Sequence, residues 1–217
     1  LILMIGSKNI SGENYFTISQ TIISMSSMLI GIFLYSLLYG DDMKSKNSQA
    51  VLGHGYTRAE VVIYKLITFT FLTILAFSYL YLIINLNALV FSFDIKQFQE
   101  MLIKISIVSA IKVLSYAALT NIVAYFSQSS SSSIVVFVLL SSGTVNLILG
   151  LLLSQNFIIN IFGNLQVYLI ESLSSTTLNT WLSSIFALNK ELLILLAYII
   201  VNTVLAIQVF KNKELEF

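Results

Sequence analysis

Four stretches of this chain carry no charged side chain and approach or exceed the length needed to cross a bilayer. They run over 14–40, 66–93, 113–170 and 192–210. At 1.5 Å of rise per residue, a helix needs about 20 mostly apolar residues to span the hydrocarbon core. The third stretch is too long for one crossing, and the serine run from Ser129 to Ser133 divides it. Five spans result, over about 15–39, 61–90, 101–127, 134–153 and 190–210. A transmembrane barrel would instead alternate polar and apolar residues along its strands, and IIVNTVLAI at 199–207 does not. The expected fold is an all-α polytopic membrane protein with a single transmembrane domain over 1–217. A further span ahead of Leu1, ending in the run LILMI, would bring the number to six and both ends to one side.

Composition narrows the function classes. Hydrophobic residues make up 57% and charged residues 10%, where a soluble domain carries about 25% charged. With a mean hydropathy of +0.91, a water-soluble enzyme has too little polar surface to cover it. There is no cysteine for a disulfide, a thiolate metal site or a nucleophile, and no metal is expected. One arginine and a net charge of +1 leave no basic face for nucleic acid. Proline is absent, so helix kinks are expected at small residues such as Gly31, Gly143 and Gly150. Ser106, Ser109 and Ala110, and then Ser141, Ser142 and Gly143, would let helices approach closely.

The most polar segment lies between the first two spans, GDDMKSKNSQAVLGHGYTRAEVVIYK over 40–65. Lys44, Lys46, Arg58, Lys211 and Lys213 fall on one side of the five-span arrangement, in fewer residues than Lys8, Lys96, Lys104 and Lys190 on the other. The positive-inside rule puts 41–60 in the cytoplasm. Asp41 and Asp42 can cap a short helix over 43–52. Gly53-His54-Gly55 then reads as a turn. Thr57-Arg58-Ala59-Glu60 is a capping box that starts the next helix at Arg58, with Tyr56 and Val61 at the hydrophobic-staple positions. A short surface helix fixed to two spans can carry force from a soluble partner; it can equally be an ordinary interfacial connector.

This order of features resembles the ABC-2 type permeases, the membrane subunits of ATP-driven bacterial exporters. Asp41, Asp42, Gln49, Val51, Gly53, Gly55, Thr57, Arg58 and Lys65 carry the likeness. The chain departs from the family at Ser45-Lys46-Asn47-Ser48, where Gly-Thr is common. The resemblance implies that 41–60 is a coupling helix docking on a nucleotide-binding ATPase subunit through Asp41, Asp42, Met43, Lys44, Gln49 and Arg58. It implies two permease copies, or one with a paralogue, beside two ATPase subunits in a bacterial plasma membrane. This chain lacks GxxxxGK[ST], so no cofactor is expected in it, and ATP and Mg would be bound by the partner subunit.

Within the spans, Lys112 is the charge that stands out. No acid lies at similar depth in the other spans, so its expected partners are carbonyls, Ser115, Tyr116 or water. It lines a substrate path with Tyr116, or it snorkels to a surface. The segment 154–189 is apolar but broken at Gly163-Asn164, too short in each half to cross. It fits an outer re-entrant hairpin or an amphipathic surface helix, with Tyr168 and Trp181 as interfacial anchors. His54 reads as a turn residue and 129–133 as a flexible inner turn.

An intramembrane protease needs His or Asp within its spans, and none has either; there is no HExxH. An enzyme is therefore not expected. A permease exporting an amphipathic substrate, peptide or bacteriocin first and drug or lipid second, is the main expectation. An ion-coupled carrier or channel is the alternative, weakened by the missing midplane acid.

Overall fold

The computed structural model describes residues 12–40, 51–93, 95–183 and 188–213. It is an all-α polytopic membrane protein. The elements are α1 (Gly12–Tyr35), running into a π-helical turn at Ser36–Gly40; α2 (Arg58–Val90); a 3₁₀ turn at Lys96–Phe98; α3 (Gln99–Ser127); α4 (Ser130–Ser141); and α5 (Thr144–Leu153). Then follow α6 (Asn156–Phe162), a 3₁₀ turn at Leu165–Tyr168, α7 (Ile170–Ser183) and α8 (Lys190–Asn212). Four helices are long and apolar enough to cross a membrane, and the bent pair of α4 and α5 makes a fifth if it forms one span.

Helix α3 is the axis of the bundle. It packs against α1, α2, α4, α7 and α8. Of its most apolar window 56% is buried, against 22–28% in α1, α2 and α8. Its sequence explains this. Ser106, Ser109 and Ala110 are all buried, so neighbours approach the α3 backbone closely. By contrast Met25, Leu29 and Phe33 on α1, and Phe71, Tyr79 and Leu86 on α2, are exposed large apolar side chains. They suit a lipid-facing surface. Many hydroxyls inside the helices satisfy themselves locally. Ser19, Thr73, Ser106, Ser115, Thr120 and Thr203 each donate to the carbonyl four residues back, which removes the cost of a bare polar group in hydrocarbon.

The start of α2 follows the local signals. Thr57 accepts from the Glu60 amide at 3.3 Å, and Glu60 accepts from the Thr57 amide at 2.7 Å, the reciprocal capping box. Before it, 51–53 is helical and ends in a turn through Gly55, whose φ is +93°. The rest of the expected helix over 43–52 lies outside the described residues. Tyr56 meets Tyr64 edge-on at 6.5 Å.

The kink expected at Gly143 is present: the span read over 134–153 is bent by 62° between α4 and α5. Gly143, at φ +77°, caps α5 in the left-handed region that glycine tolerates. Other expectations need correction, and the first is that helix α4 begins earlier than expected. Ser129 is its N-cap, so most of the serine run is helix and the turn is confined to 128–129, with Gln128 at φ +51°. At Gly31 there is no kink, for α1 runs unbroken through it. Its missing side chain serves close packing instead: a Cβ there would stand 3.0 Å from Phe137 of α4 and 3.2 Å from Val113 of α3. Gly150 lies inside α5 without breaking it.

Candidate functional site

Lys112 and Tyr116 stand one turn apart on α3, so they share a face. Lys112 is 13 residues into the helix, about 20 Å from its start, which is near the middle of the bundle. The chain returns to this depth after α5. Helix α7 begins there and packs against α3 and α8, with Glu171 in its first turn. Lys112 Nζ lies 3.1 Å from Glu171 Oε1. Tyr116 donates to the other carboxylate oxygen at 3.0 Å. Asn146, in the first turn of α5, donates to the Tyr116 hydroxyl at 2.8 Å. Three separate elements thus meet in one connected polar group.

The absence of an acid at the depth of Lys112 is therefore corrected. The carboxylate comes from outside the spans proper, on the re-entrant helix α7. One sequence signal could have found it: Glu171 is the only charged side chain between Lys112 and Lys190. Among the described residues the other carboxylates, Glu13, Glu60, Glu100 and Glu191, lie in the opening turns of α1, α2, α3 and α8. Lys112 is an ion-paired side chain, 16% exposed, while Glu171 is 49% exposed. Ser115, a possible partner by spacing, instead donates to the Ile111 carbonyl.

Electrostatics hold α7 at both ends. Glu171 sits in its first turn, where the helix dipole favours negative charge. Lys104, buried on α3, donates to the Trp181 carbonyl in its last turn at 2.7 Å and pairs with Glu100 at 2.7 Å. Trp181 is 1% exposed and clusters with Val108 and Leu192. It is a core side chain where an interfacial anchor was expected. The two described helices of the broken segment differ in burial. Helix α6 is exposed, whereas α7 is built into the bundle.

A cavity of about 380 Å³ opens beside the Glu171 group. Asn146, Gln166, Glu171 and Ser172 supply its polar wall, and Leu147 and Leu169 its apolar wall. Gln166 is held there by donating to the Gly150 carbonyl at 2.5 Å.

A second polar centre lies nearer the end of the bundle formed by Gly40, Arg58 and Asn212. Tyr35 donates to Asn121 Oδ1 at 3.2 Å, and Asn121 Nδ2 donates to the Tyr39 hydroxyl at 2.9 Å. All three are buried. Lys65 stands 5.5 Å from the centre of the Tyr39 ring. At the end itself, Arg58 Nη1 reaches the carbonyls of Phe210 at 2.6 Å, Lys211 at 3.0 Å and Lys213 at 2.6 Å. Its guanidinium also lies 5.5 Å from the Phe210 ring centre. Arg58 thereby ties the start of α2 to the C-terminus of α8, whose carbonyls lack partners within the helix.

Of the residues expected to contact an ATPase, Asp41, Asp42, Met43, Lys44 and Gln49 lie outside the described residues, and Arg58, at the start of α2, directs its side chain to the carbonyls at the end of α8. Of the expected path residues, Lys112 and Tyr116 are brought together with Glu171 and Asn146. Among the described residues no group of three or more His, Asp or Glu side chains is arranged to hold a metal ion. No protein-family model matches the chain, and neither a curated protein nor a solved structure matches it.

Proposed function

We propose that this chain is the permease subunit of an ATP-driven exporter of the ABC-2 type in a bacterial plasma membrane. It moves an amphipathic substrate, a peptide or bacteriocin before a drug or lipid, by alternating access. Two copies, or one with a paralogue, work with two ATPase subunits that bind ATP and Mg. The chain itself is not an enzyme. The observation carrying this reading is the polar group of Lys112, Tyr116, Asn146 and Glu171 within a helical membrane bundle, in a chain whose 41–60 segment resembles a coupling helix. A charged pair at mid-depth costs desolvation energy and is kept where a path or a moving contact uses it.

The Arg58 anchor supports the same reading. A coupling loop transmits force only if it is joined rigidly to the helices it moves. Arg58 joins it to α8 as well as to α2. Displacement of the loop would therefore pull two helices that both pack on α3.

The second reading is an ion-coupled carrier. It was weak without a midplane acid, and Glu171 removes that objection. One experiment separates the two. The chain is co-expressed with a candidate nucleotide-binding ATPase, purified and examined by native mass spectrometry, and transport is measured in vesicles with ATP or with an imposed ion gradient. The exporter reading expects a two-plus-two complex and transport driven by ATP alone. A stable complex without an ATPase that transports fully on a gradient overturns it in favour of the carrier.

A further inference from the structure

The two members of the mid-depth ion pair are unequally accessible. Lys112 is 16% exposed and Glu171 49%. The cavity of about 380 Å³ is lined by Glu171 and not by Lys112. A molecule entering the cavity therefore meets the carboxylate first.

The neighbouring amides strengthen that bias. The Tyr116 hydroxyl uses its proton on Glu171, so it can only accept from Asn146, which fixes the Asn146 nitrogen toward Tyr116. Gln166 faces the Gly150 carbonyl, an acceptor, so its nitrogen is fixed too. Each amide spends one of its two N–H groups on the protein. Neither amide oxygen accepts a hydrogen bond among the described residues. The polar wall thus offers a carboxylate and two amide oxygens, beside the apolar surface of Leu147 and Leu169. With the Ser172 hydroxyl, which can donate or accept, it is a polar wall whose one charged group is a carboxylate, next to hydrocarbon.

The geometry points to a binding site for an organic cation bearing N–H donors, a primary ammonium or guanidinium on an apolar body, held by Glu171 with Asn146 and Gln166 and competing with Lys112 for the carboxylate. The site follows from these side chains alone; that its occupant is transported cargo rests on the exporter reading. A charge-assisted hydrogen bond to Glu171 is the strong contact, and the two amides add direction. Lys112 neutralises the carboxylate when the site is empty, so that no bare charge is left at this depth.

The test uses the full chain in phosphatidylcholine nanodiscs, without ATPase or ATP, so that a failed site and a failed exporter reading remain distinguishable. The probe is a decylammonium carrying a diazirine, photolysed and located by peptide mapping. Expected are adducts within 143–150 and 166–172, reduced about tenfold by Glu171→Gln, the loss of one charge-assisted contact. Lys112→Met should strengthen labelling by a similar factor, because the competing cation is gone. A trimethylammonium probe of equal length, lacking N–H donors, should label less than the primary amine, and a decyl sulfonate should not label these segments. If Glu171→Gln does not assemble, Lys112→Met and Gln166→Leu still decide, since they predict changes of opposite sign. Adding phosphatidylethanolamine identifies the source of the amine: competition by it makes a lipid head group the ordinary occupant, and no competition leaves a soluble amphipathic cation. Labelling unchanged by Glu171→Gln, or lost with Lys112→Met, or stronger with the sulfonate, overturns the proposal.

Discussion

Arg58 and Lys112 are both cations on long helices of this bundle, and both are engaged, but by different kinds of partner. Arg58 is held by three backbone carbonyls at the end of α8. Lys112 is held by one carboxylate on a short, re-entrant helix. Carbonyls cannot be protonated or rotated away while the helix persists, so the Arg58 contact is fixed for as long as α8 is folded. A carboxylate can exchange its counter-ion, accept a proton or turn about its own χ angles. The first contact joins parts that must move together. The second joins parts that can separate.

That contrast is broken most severely by reversing the charge at Arg58. Arg58→Glu sets a carboxylate against the negative end of α8 and removes every contact made by Nη1. We expect a loss of about 2 kcal/mol in the docking of this end, the range for part-buried hydrogen bonds from a charged group. Co-purification with the ATPase or coupling of hydrolysis to transport should fail, while the membrane part stays folded. Arg58→Lys keeps the charge but loses the reach of Nη1 and the guanidinium's contact with the Phe210 ring, and should be intermediate. Thermal melting in detergent, ATPase activity, transport and co-purification are the measurements. If Arg58→Glu leaves all of them at wild-type level, 41–60 is only a connector.

The mid-depth pair should behave in the opposite way, with large effects on function and small ones on assembly. Lys112→Met leaves Glu171 without its counter-ion. Because Glu171 is 49% exposed, screening keeps the stability loss to about 1 kcal/mol. Transport should change strongly while the amount of assembled complex does not. The double variant Lys112→Met with Glu171→Gln removes both charges and should recover stability, giving a non-additive cycle. An additive cycle, with transport unaltered in both single variants, would show Lys112 and Glu171 to be independent side chains of no consequence to the path.

Tyr116→Phe sharpens the comparison further. It removes one hydroxyl that donates to Glu171 and accepts from Asn146, and leaves the ring in place. The expected cost is about 1 kcal/mol, the net worth of a hydrogen bond with a partner left wanting. The carboxylate should become freer to exchange counter-ions, seen as altered apparent affinity for substrate at unchanged assembly. Equal transport affinity in the variant and the parent would remove Tyr116 from the site.

How far these two regions could be read from the sequence follows from how local their determinants are. The start of α2 is set by four consecutive residues, and the capping box at Thr57 and Glu60 is present as the sequence predicts. The long crossings follow from charge-free length, which the bilayer alone demands. The depth of Glu171 does not, because it depends on how far α7 folds back after the bend at Gly143, and a glycine marks where a helix can turn but not by how much. Trp181 misleads for the same reason: an indole near a broken segment suits a membrane interface, but Lys104 draws its carbonyl into the bundle. Arg58 lies between. Its position at a helix start is legible, whereas its partners lie more than 150 residues away at the end of α8.

The smallest expected effect falls on the cap beside Arg58, and it tests whether that end of the bundle is held by local or by long-range contacts. Thr57 and Glu60 satisfy each other at the exposed start of α2. Removing such a cap costs about 1 kcal/mol in a helix that depends on it. Here α2 runs for 33 residues against α1, α3 and α8, so fraying of its first turn is opposed by the rest. Arg58, the next residue, is itself pinned to the α8 carbonyls. Thr57→Ala should therefore lower stability by about 0.5 kcal/mol, at the low end of the cap range, and leave coupling intact. Combined with Arg58→Lys, however, it should cost more than the sum of the two, since each contact then limits the fraying caused by loss of the other. Melting and coupled ATPase activity of the single and double variants decide the matter. A Thr57→Ala variant as damaged as Arg58→Glu would make the local cap, and not the tie to α8, the contact that fixes this end.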